Sequence, residues 1–252
     1  PTLRPDELKI YPTALLDGTG LYDLWQPGAY EPYAEETLIA LLRQCKQMIP
    51  PYCRVNRLMR DIPASYIVAG TTKSNLRQII QQRMAKAGER CRCIRCREIR
   101  GRRVADVDAI HQAIVTYATD VTEEHFIQYL TPKGYLAGFL RLSLPHRWVA
   151  PSFGCDPPET QTFGCDPPET QKRAMIRELH VYGPAQALGA QGRGLQHRGL
   201  GTQLLEDAAH IAREAGFDAL AVIAAVGTRP YYRERGFTQG TLYPTKQLIE
   251  RG

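Results

Sequence analysis

No apolar run in this 252-residue chain exceeds the eight residues from Ala219 to Val226. That is far short of the ~20 a membrane-spanning helix needs. No basic, apolar, small-residue stretch of signal-peptide type opens the sequence, so a cytoplasmic chain without membrane attachment is expected. Seven cysteines cannot all pair, and three of them crowd between Cys91 and Cys96. This argues against a secreted disulfide framework and for a reduced interior with a metal site. Neither a G-x-x-x-x-G-K-[ST] loop nor a Rossmann G-x-G-x-x-G with a later ribose-binding acid is present. What remains, 43% hydrophobic and 23% charged, is ordinary for a globular chain with one large domain or two modest ones.

Acids are scarce in one stretch. From Tyr52 to Arg103 fourteen Lys and Arg face only Asp61, Glu89 and Glu98, a local excess of eleven in a chain of net charge +6. The excess is mostly arginine, whose planar fork matches phosphate oxygens, and so suggests a polyanion partner. A solvated basic face is the plainer alternative.

Along the chain, strand-like stretches at Leu8–Tyr11 and Leu15–Leu16 precede a helix from Glu35 to Met48, with Leu38, Leu41, Leu42, Cys45 and Met48 at helical spacing. Cys45 reads as a core thiol and Cys53 as a loop thiol. A second helix is expected from Ser74, as its cap, to Ala87, with Leu76, Ile79, Ile80 and Met84 buried and Gly88 ending it. Further helices are expected near Val107–Ala118 and Glu123–Leu130, and strands at Tyr135–Leu144 and Ala174–Tyr182. A helix at Gly199–Ala215, a strand at Ala219–Val226, a short helix at Thr228–Arg235 and closing strands after Phe237 complete the pattern. Between the middle strands FGCDPPETQ occurs twice, from Phe153 and again from Phe163; its paired prolines make it a loop.

Two motifs carry chemistry. C-x-C-x-x-C at Cys91, Cys93 and Cys96 places three soft ligands in one turn of chain, and neighbouring arginines favour their thiolates. Zinc suits this set better than an iron–sulfur cluster, with a fourth ligand from Cys155, Cys165, His111, His125 or His180. Gln196-His197-Arg198-Gly199-Leu200-Gly201-Thr202 stands between a strand and an amphipathic helix. Glycines there let backbone amides approach a pyrophosphate at a helix N-terminus. This is the pattern of the GNAT acyltransferases, whose donor is acyl-coenzyme A. Tyr231 and Tyr232, just past the next strand, are then candidates to protonate a departing thiolate.

Arg60-Asp61-Ile62-Pro63, the Cys91 cluster, Arg177-Glu178-Leu179-His180-Val181-Tyr182-Gly183, Gln196 to Thr202 and Gly227 to Tyr232 occur in this order in the catalytic subunit of Elongator. The sequence resembles that family along essentially its whole length. The resemblance implies an α/β GNAT domain with a mixed sheet at residues 104–252, a helix and zinc-binding linker at 74–103, and the closing part of a radical S-adenosylmethionine domain at 1–73. It implies modification of the wobble uridine of tRNA at carbon five with acetyl-CoA. Glu178, Leu179, His180 and Val181 would lie along the pantetheine arm, and Gln196, Gly199, Leu200, Gly201 and Thr202 at the pyrophosphate. Tyr231 would stand at the thioester, and Cys165 would join Cys91, Cys93 and Cys96 on zinc. Arg54, Arg57, Arg60, Arg77, Arg83 and Lys86 would contact RNA. The C-x-x-x-C-x-x-C triad of radical enzymes is missing, so a [4Fe–4S] cluster and S-adenosylmethionine are expected only in a full-length protein, where this chain would contact the rest of the radical domain or self-associate. A protein lysine acetyltransferase and a non-catalytic, zinc-stapled tRNA-binding module are the competing readings.

Overall fold

The computed structural model describes residues 3–99, 109–146, 172–182, 199–240 and 242–249. The chain packs as two units, one of residues 4–97 and one built from residue 98 onward. Among the described residues no helix is long and apolar enough to cross a membrane.

The first unit contains β1 (Glu7–Lys9), β2 (Leu15–Leu16), α1 (Gly20–Trp25), α2 (Glu35–Met48), β3 (Arg54–Arg57), β4 (Ile67–Ala69), α3 (Leu76–Lys86) and α4 (Ile94–Arg97). β1 runs parallel to β3, and β2 antiparallel to β4. α2 has the expected bounds, but its buried face is turned: Leu38, Ile39, Leu42 and Lys46 are buried, whereas Leu41 and Met48 are exposed. Apolar spacing could not foresee this, because the inward residue of the last turn is an ammonium. Ser74 does not cap α3, whose N-cap position is Asn75 without a side-chain bond. Gly88 ends that helix in the left-handed region, at φ +70°. Cys53 lies in a loop and Cys45 on α2, as expected, but the loop thiol is the fully buried one and Cys45 is only half-buried. The cause is local, since the Cys53 carbonyl accepts the Ile94 amide at 3.0 Å and is covered by the start of α4.

The second unit is one seven-stranded mixed sheet with helices. Its elements are β5 (His111–Ala118), β6 (Thr122–Leu130), β7 (Leu136–Pro145), β8 (Arg173–Val181), α5 (Leu200–Glu214), β9 (Ala219–Val222), α6 (Arg229–Arg233), β10 (Thr238–Gln239) and β11 (Pro244–Gln247). The order is β10-β11-β9-β8-β7-β6-β5, and only β8 and β9 are parallel. The helices expected near Val107–Ala118 and Glu123–Leu130 are instead the antiparallel hairpin β5–β6. Ile114, Val115, Thr116, Val121 and Thr122 are β-branched and favour extended backbone. Thr119 and Thr122 close the turn through their hydroxyls and main chain, where no glycine or proline marks it. α5 lays Leu204, Leu205, Ala208 and Ala212 against Leu140, Leu142, Ile176 and Leu220. Gly138 on β7 allows a close approach: a Cβ there would stand 3.1 Å from the His180 carbonyl oxygen and 3.5 Å from Leu204.

Candidate cofactor cleft and metal centre

The parallel ladder of β8 and β9 begins at Arg173–Ala219 and ends at Ile176–Val222. β8 continues beside β7 to Val181, while the chain after β9 enters a 3₁₀ turn at Val226–Thr228. Only half of the expected strand Ala219–Val226 is therefore strand, and Ile223 and Val226 are exposed beyond the parting. α5 starts at the same end of the sheet. Gly199, at φ +76°, turns the chain into it, and the Gln203 amide donates to the Gly199 carbonyl at 2.9 Å. The first-turn amides of α5 have no intrahelical acceptors, and no acid stands in that turn. Such an end attracts an anion.

Tyr231 on α6 faces this end. A Cβ at Gly201 would collide with the Tyr231 hydroxyl and would lie 3.7 Å from Val181. Arg235 lies over the tyrosine ring at 3.7 Å from its centroid. Its Nε donates to Thr202 Oγ1 at 3.0 Å and its Nη1 to the Tyr231 carbonyl at 2.8 Å. Burial raises the Tyr231 phenol above its ordinary range, against the opposing pull of Arg235 and Thr202. The group therefore stays protonated at neutral pH and can donate. Val181, Gly201, Thr202 and Tyr231 thus come together as the sequence suggests, and Arg235 is the partner that sequence reasoning missed. Its position four residues after Tyr231 was the available signal.

The other expected residues divide by face. Leu179 and Val181 pack on the core under α5. Glu178 accepts from Arg141 Nε at 2.8 Å. His180 is exposed, its ring 4.3 Å from that of Tyr182. Tyr232 turns into the core, edge-on to Phe237, and burial pushes its phenol up to about 12; of the paired tyrosines only Tyr231 faces the cleft. Gln196, Cys155 and Cys165, with both copies of FGCDPPETQ, lie outside the described residues.

Cys91, Cys93 and Cys96 converge as the spacing suggests, with their sulfurs all within 4.8 Å of one another. A tetrahedral zinc with bonds of ~2.3 Å needs ligand separations of roughly 3.8 Å, so the set fits. Lys46, 0% exposed, points its Nζ at Cys96 Sγ from 3.6 Å, and Gln81 Nε2 donates to the same sulfur at 3.4 Å. Hydrogen bonds from Cys91 and Cys93, with help from Lys46 and Gln81, hold the Cys96 thiol well below its usual range, while hydrogen bonding to Cys93 and Cys96, together with burial, pushes Cys91 up. Arg97 ties the loop down through the carbonyls of Arg92 and Pro51, each at 2.7 Å.

The Radical_SAM C-terminal domain family matches residues 5–86. A tRNA uridine(34) acetyltransferase of Dehalococcoides mccartyi is 38% identical over 252 residues, covering 98% of this chain and 52% of that protein. The Elongator complex protein 3 of Homo sapiens is 35% identical over 260 residues, covering 98% of this chain and 44% of that protein. The solved structure of archaeal Methanocaldococcus infernus Elp3 with an N-terminal deletion superimposes with a TM-score of 0.78 at 33% identity, covering 96% of this chain and 55% of that one. The chain is a homologue of Elongator complex protein 3 and of the tRNA uridine(34) acetyltransferases. It spans about half the length of these curated relatives, 52% of one and 44% of the other. The mixed α/β class with a central mixed sheet expected from the sequence is the one found, with the parallel pair β8–β9 near its centre.

In this Elongator-type chain the basic residues are not equally available. Arg77 donates to the Val55 and Asn56 carbonyls at 3.0 and 3.4 Å, and Arg83 pairs with Glu36 at 2.8 Å. Lys86 is exposed on α3. Arg54 is half-buried on β3, where its amide pairs with the Asp6 carbonyl. Arg57 is exposed and pairs with Asp61, and Arg60 is exposed with its guanidinium over Tyr11 at 5.5 Å.

Proposed function

We propose that this chain supplies acetyl-CoA binding, thioester cleavage and tRNA contact to an enzyme that modifies the wobble uridine of tRNA at carbon five. The observation that carries the reading is the juxtaposition at Gly201. A helix N-terminus bare of acids, a glycine with no room for a side chain and a protonated phenol meet where β8 and β9 part. In this reading the first-turn amides from Gly199 to Thr202, preceded by Gln196, hold the pyrophosphate. The pantetheine arm runs beside Glu178, Leu179, His180 and Val181, with exposed Ile223 and Val226 as an apolar wall. Tyr231 gives its proton to the sulfur as the thioester carbon–sulfur bond breaks and the acetyl group passes to its acceptor. Arg235 holds the ring in place and keeps the hydroxyl toward α5. Cys91, Cys93 and Cys96, with Cys165 as the fourth ligand, would hold a zinc ion that pins their loop. Arg54, Arg57 and Arg60 offer phosphate contacts; Arg77 and Arg83, engaged within the fold, contribute less, and Lys86 adds a further charge.

Calorimetric titration of the chain with acetyl-CoA, with and without tRNA, tests this. Binding of the donor and tRNA-stimulated release of free CoA are expected. Donor binding without any effect of tRNA would favour the lysine acetyltransferase reading. Binding of tRNA without the donor would leave only an RNA-binding module.

A further inference from the structure

The alternation along β8 changes phase at one point. Ala174 and Ile176 face the core beneath α5, and beyond the change Leu179 and Val181 do so. In the register with β7, Ile176 lies opposite Leu142 and Glu178 opposite Arg141, so Arg177 is an extra residue, a β-bulge. A bulge bends its strand and increases the local twist. This one begins one residue after the last pairing of β8 with β9, Ile176–Val222. It also places two oppositely charged neighbours, Arg177 and Glu178, on the sheet face away from α5.

Each is captured by an opposite charge from another strand. Glu124 on β6, 5% exposed, accepts Arg177 Nη2 at 2.6 Å and Nε at 3.1 Å on Oε2. Its Oε1 accepts the hydroxyls of Thr122 at 2.7 Å and Ser143 at 2.5 Å, so both oxygens are doubly occupied. Arg177 Nε also reaches Ser143 Oγ at 2.7 Å. Arg141 on β7, 2% exposed, donates to Glu178 and lies 5.2 and 5.6 Å from the rings of Phe126 and Phe139. A one-residue slip of β8 would turn every side chain to the wrong face and part the buried Glu124 from Arg177 and the buried Arg141 from Glu178.

We propose that Glu124 and Arg141 are positioning residues: by holding Arg177 and Glu178 they set the bulge, and through it the parting of β8 from β9 that receives the thioester end of the cofactor. The inference rests on the cleft reading given above. The pyrophosphate end depends on α5 and not on the bulge. The two ends of one ligand should therefore respond differently to the same substitution.

The test uses the full chain with Ser143→Ala, Glu124→Gln and Arg141→Met, each checked by its melting curve. Acetyl-CoA is titrated alongside 3′-phosphoadenosine 5′-diphosphate, the portion of the cofactor that stops at the pyrophosphate. The expected result is roughly tenfold weaker acetyl-CoA binding, the scale of losing a hydrogen bond to a charged group, with the fragment's affinity unchanged. An unchanged ratio of the two affinities in the folded variants would overturn the proposal, whether both affinities fall together or neither moves. Ser143→Ala leaves both charges in place and keeps the comparison available if Glu124→Gln does not fold. Failure of the unaltered chain to bind acetyl-CoA would overturn the cleft reading, and this inference with it. Normal binding by the unaltered chain with unchanged ratios in the variants would overturn the clamp alone.

Discussion

Replacing Gly201 by alanine pits two local effects against each other. Gly201 lies in the first turn of α5 with ordinary helical backbone, so alanine should favour the helix by up to about 1 kcal/mol. Its Cβ, however, would fall on the Tyr231 hydroxyl. That hydroxyl cannot swing aside freely, since Arg235 covers one face of the ring at 3.7 Å and Tyr232 meets it edge-on at 5.3 Å. Overpacking of this kind costs about 1–3 kcal/mol, so a net destabilisation of about 0–2 kcal/mol is expected. In a Tyr231→Phe background the nearest ring atom to the new methyl is Cζ, at 3.4 Å, an ordinary contact. There the helix gain should emerge, and Gly201→Ala should turn neutral or stabilising. Thermal melts of the four proteins in this cycle measure the effect, with 1 kcal/mol worth roughly 2–4 °C in a chain of this size. A coupling of about 1 kcal/mol or more is expected. Additivity within ~0.3 kcal/mol would show that the hydroxyl does not occupy the space over Gly201 and would remove the basis for placing Tyr231 at the thioester.

Tyr231→Phe alone should slow tRNA-stimulated thioester cleavage by ~10²-fold with little change in donor affinity, measured as free-thiol release beside calorimetry. Because burial raises this phenol, and the protonated form is the donor, cleavage should persist to higher pH than an ordinary phenol would allow before it declines, which a rate profile extended to alkaline pH would check. Gly199→Asp puts a carboxylate at the mouth of α5 and should abolish donor binding while filter-binding affinity for tRNA persists. Replacing Arg54, Arg57 and Arg60 together by glutamine should weaken tRNA binding and flatten the plot of log affinity against log salt by up to about 0.9 for each phosphate no longer neutralised; equal slopes would count against the patch. Elemental analysis of protein purified under reducing conditions should find about one zinc per chain, and chelation should lower the melting temperature.

The sequence made most of this legible where local chemistry and tertiary placement agree. The bounds of α2, the glycine turn into α5 and the convergence of Cys91, Cys93 and Cys96 depend on neighbours within a turn or two. Misreadings occurred where a distant partner decides. β5 and β6 carry apolar residues at spacings a helix would also accept, and only their pairing with each other and with β7 makes them strands. The inward face of α2 turned because Lys46 is drawn to a sulfur fifty residues away. The phase change along β8 was visible as Ala174 and Ile176 against Leu179 and Val181, but choosing a bulge required knowing that Glu124 and Arg141 would be waiting for the charges between.

Gly138 bears on the strand beside it more than on the helix above. α5 is about 22 Å long at 1.5 Å per residue, and it rests on β7 near its own N-terminal end, through Leu204. One methyl inserted at Gly138 would meet Leu204 at 3.5 Å, an ordinary contact, but would press on the His180 carbonyl oxygen at 3.1 Å. The end of β8 that runs to Val181, and not the helix, would have to give way. A residue that no ligand would touch thus sets how closely the last residues of β8 can lie against β7.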